Sequence, residues 1–208
     1  RSLLDMVLSV PFVLASSSPR RKHLLKSTGF EFDVMPAEVD ETEIPGEPAA
    51  VMVSRLAIEK ALAVSLLRPD CLVLGSDTSV ELDGHILGKP ETPEDARRML
   101  SMLSGRTHTV HTGIALAHKN TSRLSSLVEA TRVEFATISS EEIANYVASG
   151  TPMDKAGAYG IQDDGGAFFV RAIQGDFYTV MGLPLHRLYT LIRSDFQDFL
   201  PTESIEKL

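Results

Sequence analysis

The sequence has little of what marks disulfide-stapled, zinc-clustered or membrane-spanning proteins. Its 208 residues include one cysteine, Cys71, and no tryptophan. A single cysteine excludes an intrachain disulfide framework and a zinc site built from several cysteines, and it fits a reducing compartment. No apolar run approaches the ~20 residues that a membrane span needs. We therefore expect a cytoplasmic protein that does not act in a membrane.

Positive charge is also in short supply. The chain carries 20 Lys and Arg against 28 Asp and Glu, which gives a net charge of −8. Proteins that bind nucleic acid over a broad surface are basic, so nucleic acid is not an expected partner. The hydrophobic fraction of 43% is too high for a disordered chain. An anionic ligand must therefore be held by a local group of cations.

The apolar stretch 6–15 imitates the hydrophobic part of a secretory signal. Asp5 precedes it, Pro11 interrupts it, and the basic segment 20–22 follows closely, all of which argue against a signal. This stretch is instead expected to contain the first buried strand, at 12–15.

Hydrophobic periodicity, caps and turn residues predict alternating and adjacent elements along the chain. The predicted strands are 12–15, 71–74, 80–82, 86–87, 107–117, 126–137, 167–172 and 177–181, and the predicted helices are 19–28, 49–66, 93–104, 140–147 and 184–199. Adjacent strand pairs occur together with helices between strands. That order favours an α/β layer fold around a mixed sheet over a regular βαβ repeat.

The segment 15–22 passes from a strand end into a helix start and contains three consecutive cations, Arg20, Arg21 and Lys22. Free backbone N–H groups and the positive end of the helix dipole favour an anion there. Cations in a first helical turn oppose that dipole unless an anion is bound. The alternative is a solvated basic turn. The segment 15–22 is not a P-loop, because the chain contains no G-x-x-x-x-G-K-[ST].

Gly75-Ser76-Asp77-Thr78 is predicted to end an apolar strand, and Asp83-Gly84 predicts a two-residue hairpin turn after it. Such a turn places Thr78 opposite Lys89. Strict alternation points Asp77 to the other face, so a bend near Gly75 is expected if Asp77 and Lys89 cooperate. An acid beside a cation suits metal ligation or activation of water, and a surface ion pair is the alternative.

Lys60 stands among apolar helical neighbours, so its burial is costly unless it meets an anion or extends to solvent. From the residues alone we favour extension to solvent. The segment 153–162 is rich in glycine, which allows close backbone approach to a ligand. Its Gln162 amide could recognise the edge of a base, whereas a plain structural loop is the alternative. His108 and His111 should face opposite sides of a strand and share no metal.

Together these segments resemble the Maf family of nucleoside triphosphate pyrophosphatases. The matching segments are 16–21, 59–61, 75–78, 88–90, 103–105, 154–162 and 182–185. They stand in the family's order and cover nearly the whole chain, which we interpret as one Maf-like domain over 1–208 with its motifs within 11–195. The resemblance implies an elongated mixed β-sheet flanked by helices, with two lobes around a cleft.

The resemblance also implies the chemistry. Family members cut between the α- and β-phosphates of a nucleotide with a divalent metal, Mg²⁺ or Mn²⁺, and are often dimeric, which leaves a homodimer open here. Asp77 matches the residue that accepts a proton from water, and Glu41 matches an acidic position near the metal. We expect these two carboxylates to hold the metal and its attacking water. The matching substrate-binding and catalytic positions are Ser16, Arg20, Arg21, Lys60, Thr78, Lys89, Lys155 and Gln162.

Three of these positions bear on the base. Arg20, Thr78 and Gln162 match the trio of the branch that acts on dTTP and UTP. The chain departs from the family at Ser76, where Ala is usual, and at Asp163-Asp164, which we expect to bring extra negative charge near the substrate. The alternative function is a nucleotide-binding regulator of cell division with little hydrolysis. Another is an interaction module whose basic turn binds an acidic protein.

Overall fold

A mixed sheet of seven strands forms the centre of the protein. The computed structural model describes residues 7–163 and 165–201. The strands are β1 (Phe12–Leu14), β2 (Asp33–Val34), β3 (Leu72–Leu82), β4 (His85–Leu87), β5 (Thr107–His118), β6 (Arg123–Phe135) and β7 (Val170–Gln174). Their order is β2-β1-β3-β5-β6-β7, and β4 pairs with β3. Because β1 runs parallel to both neighbours and the other pairs are antiparallel, the predicted mixed sheet is confirmed.

Within the described residues, seven α-helices flank this sheet, and several of them begin at residues that cap the first turn. They are α1 (Pro19–Ser27), α2 (Ala49–Leu67), α3 (Pro93–Leu103), α4 (Ser140–Ala148), α5 (Gly166–Phe169), α6 (Phe177–Met181) and α7 (Leu185–Asp195). Ser18 and Thr92 accept hydrogen bonds from the first turns of α1 and α3, each with proline as the first helical residue. Ser139 and Glu142 form a capping box on α4. These caps satisfy N–H groups that a helix start otherwise leaves free.

Two hydrophobic cores lie at opposite ends of β3 on the same face of the sheet. Leu72 and Leu74 belong to the core that contains α1 and α7. Val80 and Leu82 belong to the core that contains α3 and α4. Between them, the same face of β3 carries only Ser76 and Thr78, because side chains alternate along a strand. The two predicted lobes therefore correspond to two cores with a polar gap between them.

Helix α2 covers the opposite face of the sheet at close range. A Cβ at Gly75 would lie 2.2 Å from the Ala57 carbonyl oxygen, and a Cβ at Gly113 would lie 2.3 Å from that of Val53. Gly75 is on β3, and Gly113 is on the adjacent strand β5, directly opposite Asp77. Only residues without a side chain allow the helix backbone to approach the sheet this closely. This approach brings Lys60 of α2 within reach of β3.

The edge of β3 that faces away from β5 is open in the middle. β1 pairs with β3 at Leu72–Leu74, and β4 pairs with it at Val80–Leu82. Over 75–79, none of the other described strands pairs with that edge, whereas β5 continues along the far side without a register shift. The edge of β3 over 75–79 is therefore left unpaired between β1 and β4.

The structure corrects three of the predicted elements. The strands predicted at 71–74 and 80–82 are one continuous strand, because β5 pairs with β3 throughout. Phe177–Met181 is helical rather than extended, since Asp176 caps its first turn and Gly182 ends it at a φ of 112°. The strand predicted at 167–172 begins later, at Val170, after the short helix α5. The predicted Asp83-Gly84 hairpin is confirmed, with Leu82 opposite His85.

Several predictions fall on residues outside the described part of the chain. The structure does not describe residues 1–6, 164 and 202–208. The start of the apolar stretch at Met6 and the extra charge predicted at Asp164 therefore lie outside the described residues. Among the helices within 7–163 and 165–201, none combines the length and apolar character that crossing a membrane requires.

Candidate active site

A cleft of about 510 Å³ opens at the unpaired edge of β3, between the two cores. Its walls come from the start of α1, from α2, from the middle of β3, from the residues after β4 and from the loop 154–162. Five cations and four carboxylates line it: Arg20, Arg21, Lys60, Lys89, Lys155, Glu41, Glu43, Asp77 and Asp154. In a protein with a net charge of −8, this is the local cation group that an anionic ligand needs.

Asp77 and Lys60 form the buried charged pair of the cleft. Lys60 Nζ lies 2.9 Å from Asp77 Oδ1 and 2.9 Å from Glu41 Oε1. Lys60 is 7% exposed and Asp77 is 8% exposed, whereas about half of the Glu41 side chain is exposed. Partial burial acts to raise the pKa of Glu41, but the hydrogen bond from Lys60 and the charges of Lys60, Lys89 and Arg21 outweigh it and lower the pKa.

Arg21 lies on the other face of β3 and is held by three oxygen atoms. Its Nε donates to the Gly182 carbonyl at 2.7 Å, its Nη2 to Thr78 Oγ1 at 2.9 Å and its Nη1 to Ser16 Oγ at 3.4 Å. Burial lowers the pKa of Arg21, and the Asp77 carboxylate acts in the opposite direction. The guanidinium is therefore fixed in orientation before a ligand is bound.

The turn at Gly182 joins α6 to this arrangement. Its carbonyl accepts from Ser76 Oγ at 3.1 Å as well as from Arg21. Gly182 has a φ of 112°, and a Cβ there would lie 3.3 Å from Arg21 Nε and 3.4 Å from Thr78 Oγ1. The backbone conformation and the close packing both favour glycine at this position.

The loop 150–163 reaches the cleft through ion pairs. Arg20 Nη1 lies 3.1 Å from Asp154 Oδ2. Lys155 Nζ donates to the Thr151 carbonyl at 2.7 Å and lies 2.8 Å from Asp154 Oδ1 and 3.1 Å from Asp163 Oδ2. With three protein partners, the Lys155 ammonium holds the loop in place at the wall of the cleft.

Lys89 and Gln162 are exposed residues at the rim of the cleft. Lys89 contributes to the positive potential that lowers the pKa of Glu41. The pairing of β3 with β4 ends at Val80 and Leu87, so the expected Thr78–Lys89 neighbour pair is not part of the ladder. Thr78 instead pairs with Thr112 of β5.

All ten residues predicted for the site lie in this one cleft. They are Ser16, Arg20, Arg21, Glu41, Lys60, Asp77, Thr78, Lys89, Lys155 and Gln162. Their placement is a structural observation, whereas their roles as catalytic, substrate-binding or metal-binding groups stay predictions. The two histidines lie apart as expected, with His108 against Tyr159 and His111 against Glu81.

Two expectations about these side chains were wrong, and a third, about Asp163, stays open. Lys60 does not extend to solvent, because two carboxylates supply the anions that make its burial tolerable. Asp77 lies in the middle of a strand without a bend, since the open edge of β3 gives both of its faces access to the cleft. The negative charge expected from Asp163 lies at the wall of the cleft, where its Oδ2 is 3.1 Å from the Lys155 ammonium, and its effect on the substrate stays a prediction.

Glu41 and Asp77 could supply two carboxylate ligands to a divalent cation. Within the described parts of the chain, no group of three or more His, Cys, Asp or Glu side chains is arranged to hold a metal ion. Mg²⁺ is commonly bound by one or two carboxylates, with water and substrate phosphates as its other ligands. Because both carboxylates already lie beside one ammonium group, their positions suit a shared cation.

Two features of the cleft were not predicted. Thr112 and the Gly182 carbonyl hold Thr78 and Arg21. Thr112 belongs to none of the matching segments, and Gly182 belongs to one without indicating this contact. Ser79 Oγ is buried beside the cleft and has no hydrogen-bond partner within the described residues. The alternation of β3 could have placed Ser79 on the face of Asp77, but pairing between Thr78 and Thr112 depends on the register of β5.

The fold and the cleft define a class of α/β proteins in which an open strand edge exposes a cation-lined ligand site. A family model described as "Maf-like protein" matches residues 11–195. The chain belongs to the Maf family, as its motifs predicted.

Curated relatives match nearly end to end. A protein of Salinibacter ruber is 47% identical over 95% of this chain and 97% of its own length, and one of Shewanella denitrificans is 51% identical over 84% and 90%. A third, from Bacillus cytotoxicus, is 48% identical over 85% and 91%. All three are named "dTTP/UTP pyrophosphatase". A solved structure of the Staphylococcus aureus Ham1 protein aligns with a TM-score of 0.46 and 16% identity over 77% of this chain and 80% of that chain.

Proposed function

We propose that this protein is a nucleoside triphosphate pyrophosphatase that converts dTTP and UTP into the monophosphate and pyrophosphate. The observation that carries the proposal is the convergence of five cations from four separate segments in the cleft that contains Asp77. The names of the relatives support the reaction and its two substrates. The positions of Arg20, Thr78 and Gln162 in the same cleft support the pyrimidine branch.

The charge of the cleft suits a triphosphate. Such a ligand carries close to four negative charges, and phosphoryl transfer is catalysed mainly by positioning and by neutralising charge on oxygen. Arg20 and Lys60 are each paired with carboxylates in the free protein. These ion pairs already align the two cations and remove part of their hydration. A phosphate chain that binds in the cleft would compete with the carboxylates for the same cations.

Asp77 is the group best placed to accept a proton. It is buried beside the cleft, and its Oδ1 accepts a hydrogen bond from the Lys60 ammonium at 2.9 Å, which fixes the orientation of the carboxylate. In the reaction, a water oxygen forms a bond to phosphorus, the anhydride bond between the α- and β-phosphates breaks, and the water proton goes to the Asp77 carboxylate. The electron pair of the broken bond leaves with pyrophosphate.

Glu41 and Asp77 are proposed to hold a divalent cation, Mg²⁺ or Mn²⁺, together with the phosphates. When bound, such a cation neutralises phosphate oxygens and makes water a better nucleophile. The Lys60 ammonium keeps the two carboxylates together in the free protein. A homodimer and a cytoplasmic location stay predictions.

A substrate panel tests the proposed function. The full chain is incubated with dTTP, UTP, CTP, ATP and GTP in Mg²⁺, in Mn²⁺ and with a chelator, and pyrophosphate release is measured. We expect dTTP and UTP to turn over fastest and the chelator to abolish turnover. Nucleotides that raise the Tm without being hydrolysed would instead favour the regulator of cell division. No hydrolysis and no change in Tm would favour the interaction module.

A pair of lysine variants locates the activity in the cleft. Lys89→Ala removes an exposed cation at the rim, and we expect it to lower kcat/KM about tenfold or more with little change in Tm. Lys26→Ala, in the last turn of α1, is the matched control because it removes an exposed cation that does not line the cleft. A change in Tm without a change in kcat/KM for Lys89→Ala would show that Lys89 is only structural.

A further inference from the structure

A chain of hydrogen bonds crosses from β3 to β5 behind the cleft. Arg21 Nη2 lies 2.9 Å from Thr78 Oγ1, which lies 2.9 Å from Thr112 Oγ1. Thr112 Oγ1 in turn lies 2.8 Å from the Thr179 carbonyl oxygen. Thr78 and Thr112 are directly opposite each other in the register of the two strands, so their side chains point to the same face of the sheet.

The two ends of this chain fix the direction of every proton in it. A guanidinium only donates hydrogen bonds, and a carbonyl oxygen only accepts them. Thr112 therefore uses its one hydroxyl proton on the Thr179 carbonyl and has only lone pairs to offer Thr78. Thr78 must donate its own proton to Thr112 while it accepts from Arg21.

This direction decides what Thr78 can offer a ligand. Thr78 lines the cleft, whereas Thr112 is 0% exposed and lies behind it. A hydroxyl oxygen has two lone pairs, and Arg21 occupies one of them. With its proton committed to Thr112, Thr78 presents the cleft with an acceptor and with no donor.

We propose that Thr112 is a positioning residue that makes Thr78 an obligatory acceptor for an N–H group of the substrate base. This inference rests on the proposed function. Uracil and thymine carry a proton on N3, whereas N3 of cytosine carries a lone pair instead. The Thr78 oxygen, fixed as an acceptor, therefore accepts a hydrogen bond from N3–H of uracil or thymine and repels the N3 lone pair of cytosine. Selection between UTP and CTP depends in this way on a residue that does not touch the nucleotide.

The test compares UTP and CTP as substrates of the full-length protein and two variants. We expect the wild type to prefer UTP by about a hundredfold or more in kcat/KM, because a group that meets no partner is rejected strongly. Thr112→Val keeps the shape of the side chain but frees the Thr78 proton, and we expect the preference to fall about tenfold or more. Thr112→Ser keeps the hydroxyl and should restore the wild-type preference to within about twofold.

Substitution by valine also leaves the Thr179 carbonyl without this donor, so Tm is measured for each variant. The ratio of dTTP to UTP hydrolysis serves as an internal control, because both bases carry the N3 proton and should be affected alike. A general loss of structure lowers all substrates together and does not change the ratio of UTP to CTP.

Failure of this inference is distinct from failure of the proposed function. If the wild type hydrolyses no nucleotide, the proposed function and the inference that rests on it both fail. If the wild type hydrolyses UTP and CTP equally well, the proposed reaction stands and the inference is overturned, even when Thr112→Val does not fold. An unchanged preference in folded Thr112→Val would overturn it as well.

Discussion

The two faces of the central segment of β3 hold their polar groups in different ways. On one face, Asp77 meets the charged side chains of Lys60 and Glu41. On the other, Ser76 and Thr78 meet a carbonyl, a guanidinium and the hydroxyl of Thr112. We call these the charged face and the hydroxyl face. They are one residue apart along the chain and reach the same cleft because β3 lacks a neighbour there.

The difference between the faces suggests a division of labour. Partners on the charged face are exchangeable, because an ammonium can release a carboxylate when a phosphate or a metal ion takes its place. Partners on the hydroxyl face include backbone carbonyls of Thr179 and Gly182, which neither titrate nor exchange. The charged face is therefore suited to the reaction, and the hydroxyl face to holding the substrate in one orientation.

The largest effect is expected from Asp77→Ala on the charged face. This variant removes the proposed proton acceptor and one proposed metal ligand, and we expect kcat to fall by several orders of magnitude with the fold intact. Loss of a general base alone costs about 10²- to 10⁴-fold. Steady-state kinetics and far-UV circular dichroism check both parts of the prediction. Near-normal turnover would remove Asp77 from the mechanism.

The next effect concerns stability on the same face. Lys60→Met leaves the buried Asp77 carboxylate without its main partner, and we expect a loss of about 3 kcal/mol in the free energy of unfolding. Asp77→Asn combined with Lys60→Met removes both charges of this buried pair, so the double variant should be more stable than the sum of the single losses predicts. Urea unfolding measures this coupling. Strictly additive losses in the free energy of unfolding would contradict the claim that Lys60 and Asp77 stabilise each other in the buried state.

A titration tests whether the core next to the hydroxyl face tolerates charge. His108 lies on the same side of the sheet, against Tyr159 and Phe135 of that core, and burial lowers its pKa from 6.5 to about 4. The unfolded chain therefore binds this proton first as pH falls, so the protein should lose about 3 kcal/mol of stability between pH 6.5 and pH 4. In His108→Leu, unfolding measured across this range should show a smaller loss. An identical pH slope in both proteins would exclude His108 as its source.

The smallest effect compares two glycines with a positive φ. Gly182→Ala and Gly84→Ala should each cost about 1 to 2 kcal/mol, because both positions have left-handed backbone. Only at Gly182 does the new Cβ press on Arg21 and Thr78, whereas nothing lies within 4 Å of it at Gly84. We expect KM to rise in Gly182→Ala alone. Equal KM values in both variants would show that the hydroxyl face tolerates displacement.

The sequence predicts well whatever depends on neighbouring residues. Ser18-Pro19 and Thr92-Pro93 mark helix starts, and Asp83-Gly84 marks the hairpin, because these signals act within a few residues. The helix at Phe177–Met181 was missed, since its apolar residues imitate a buried strand. Its start depends on the Asp176 cap and its end on Gly182. For this segment, the capping residues indicate the secondary structure better than the hydrophobic pattern does.

Features that depend on contacts between residues far apart in the sequence could not be predicted from the residues alone. That β3 is continuous follows from its pairing with β5, and the open edge follows from where β1 and β4 stop. The burial of Lys60 requires Glu41, which is far from it in the sequence and also lies beside the cleft. Resemblance to the family brought these positions together before the structure did, but it gave neither the partners of Arg21 nor Thr112.

Product analysis by ³¹P nuclear magnetic resonance tests the central claim most directly. The claim is that this cleft binds a pyrimidine triphosphate and cuts it between the α- and β-phosphates. With UTP and Mg²⁺, the wild-type protein should produce the resonances of UMP and pyrophosphate in equal amounts, and Asp77→Ala should produce neither. Formation of UDP and phosphate, or persistence of intact UTP in Mg²⁺ and Mn²⁺, would contradict the account.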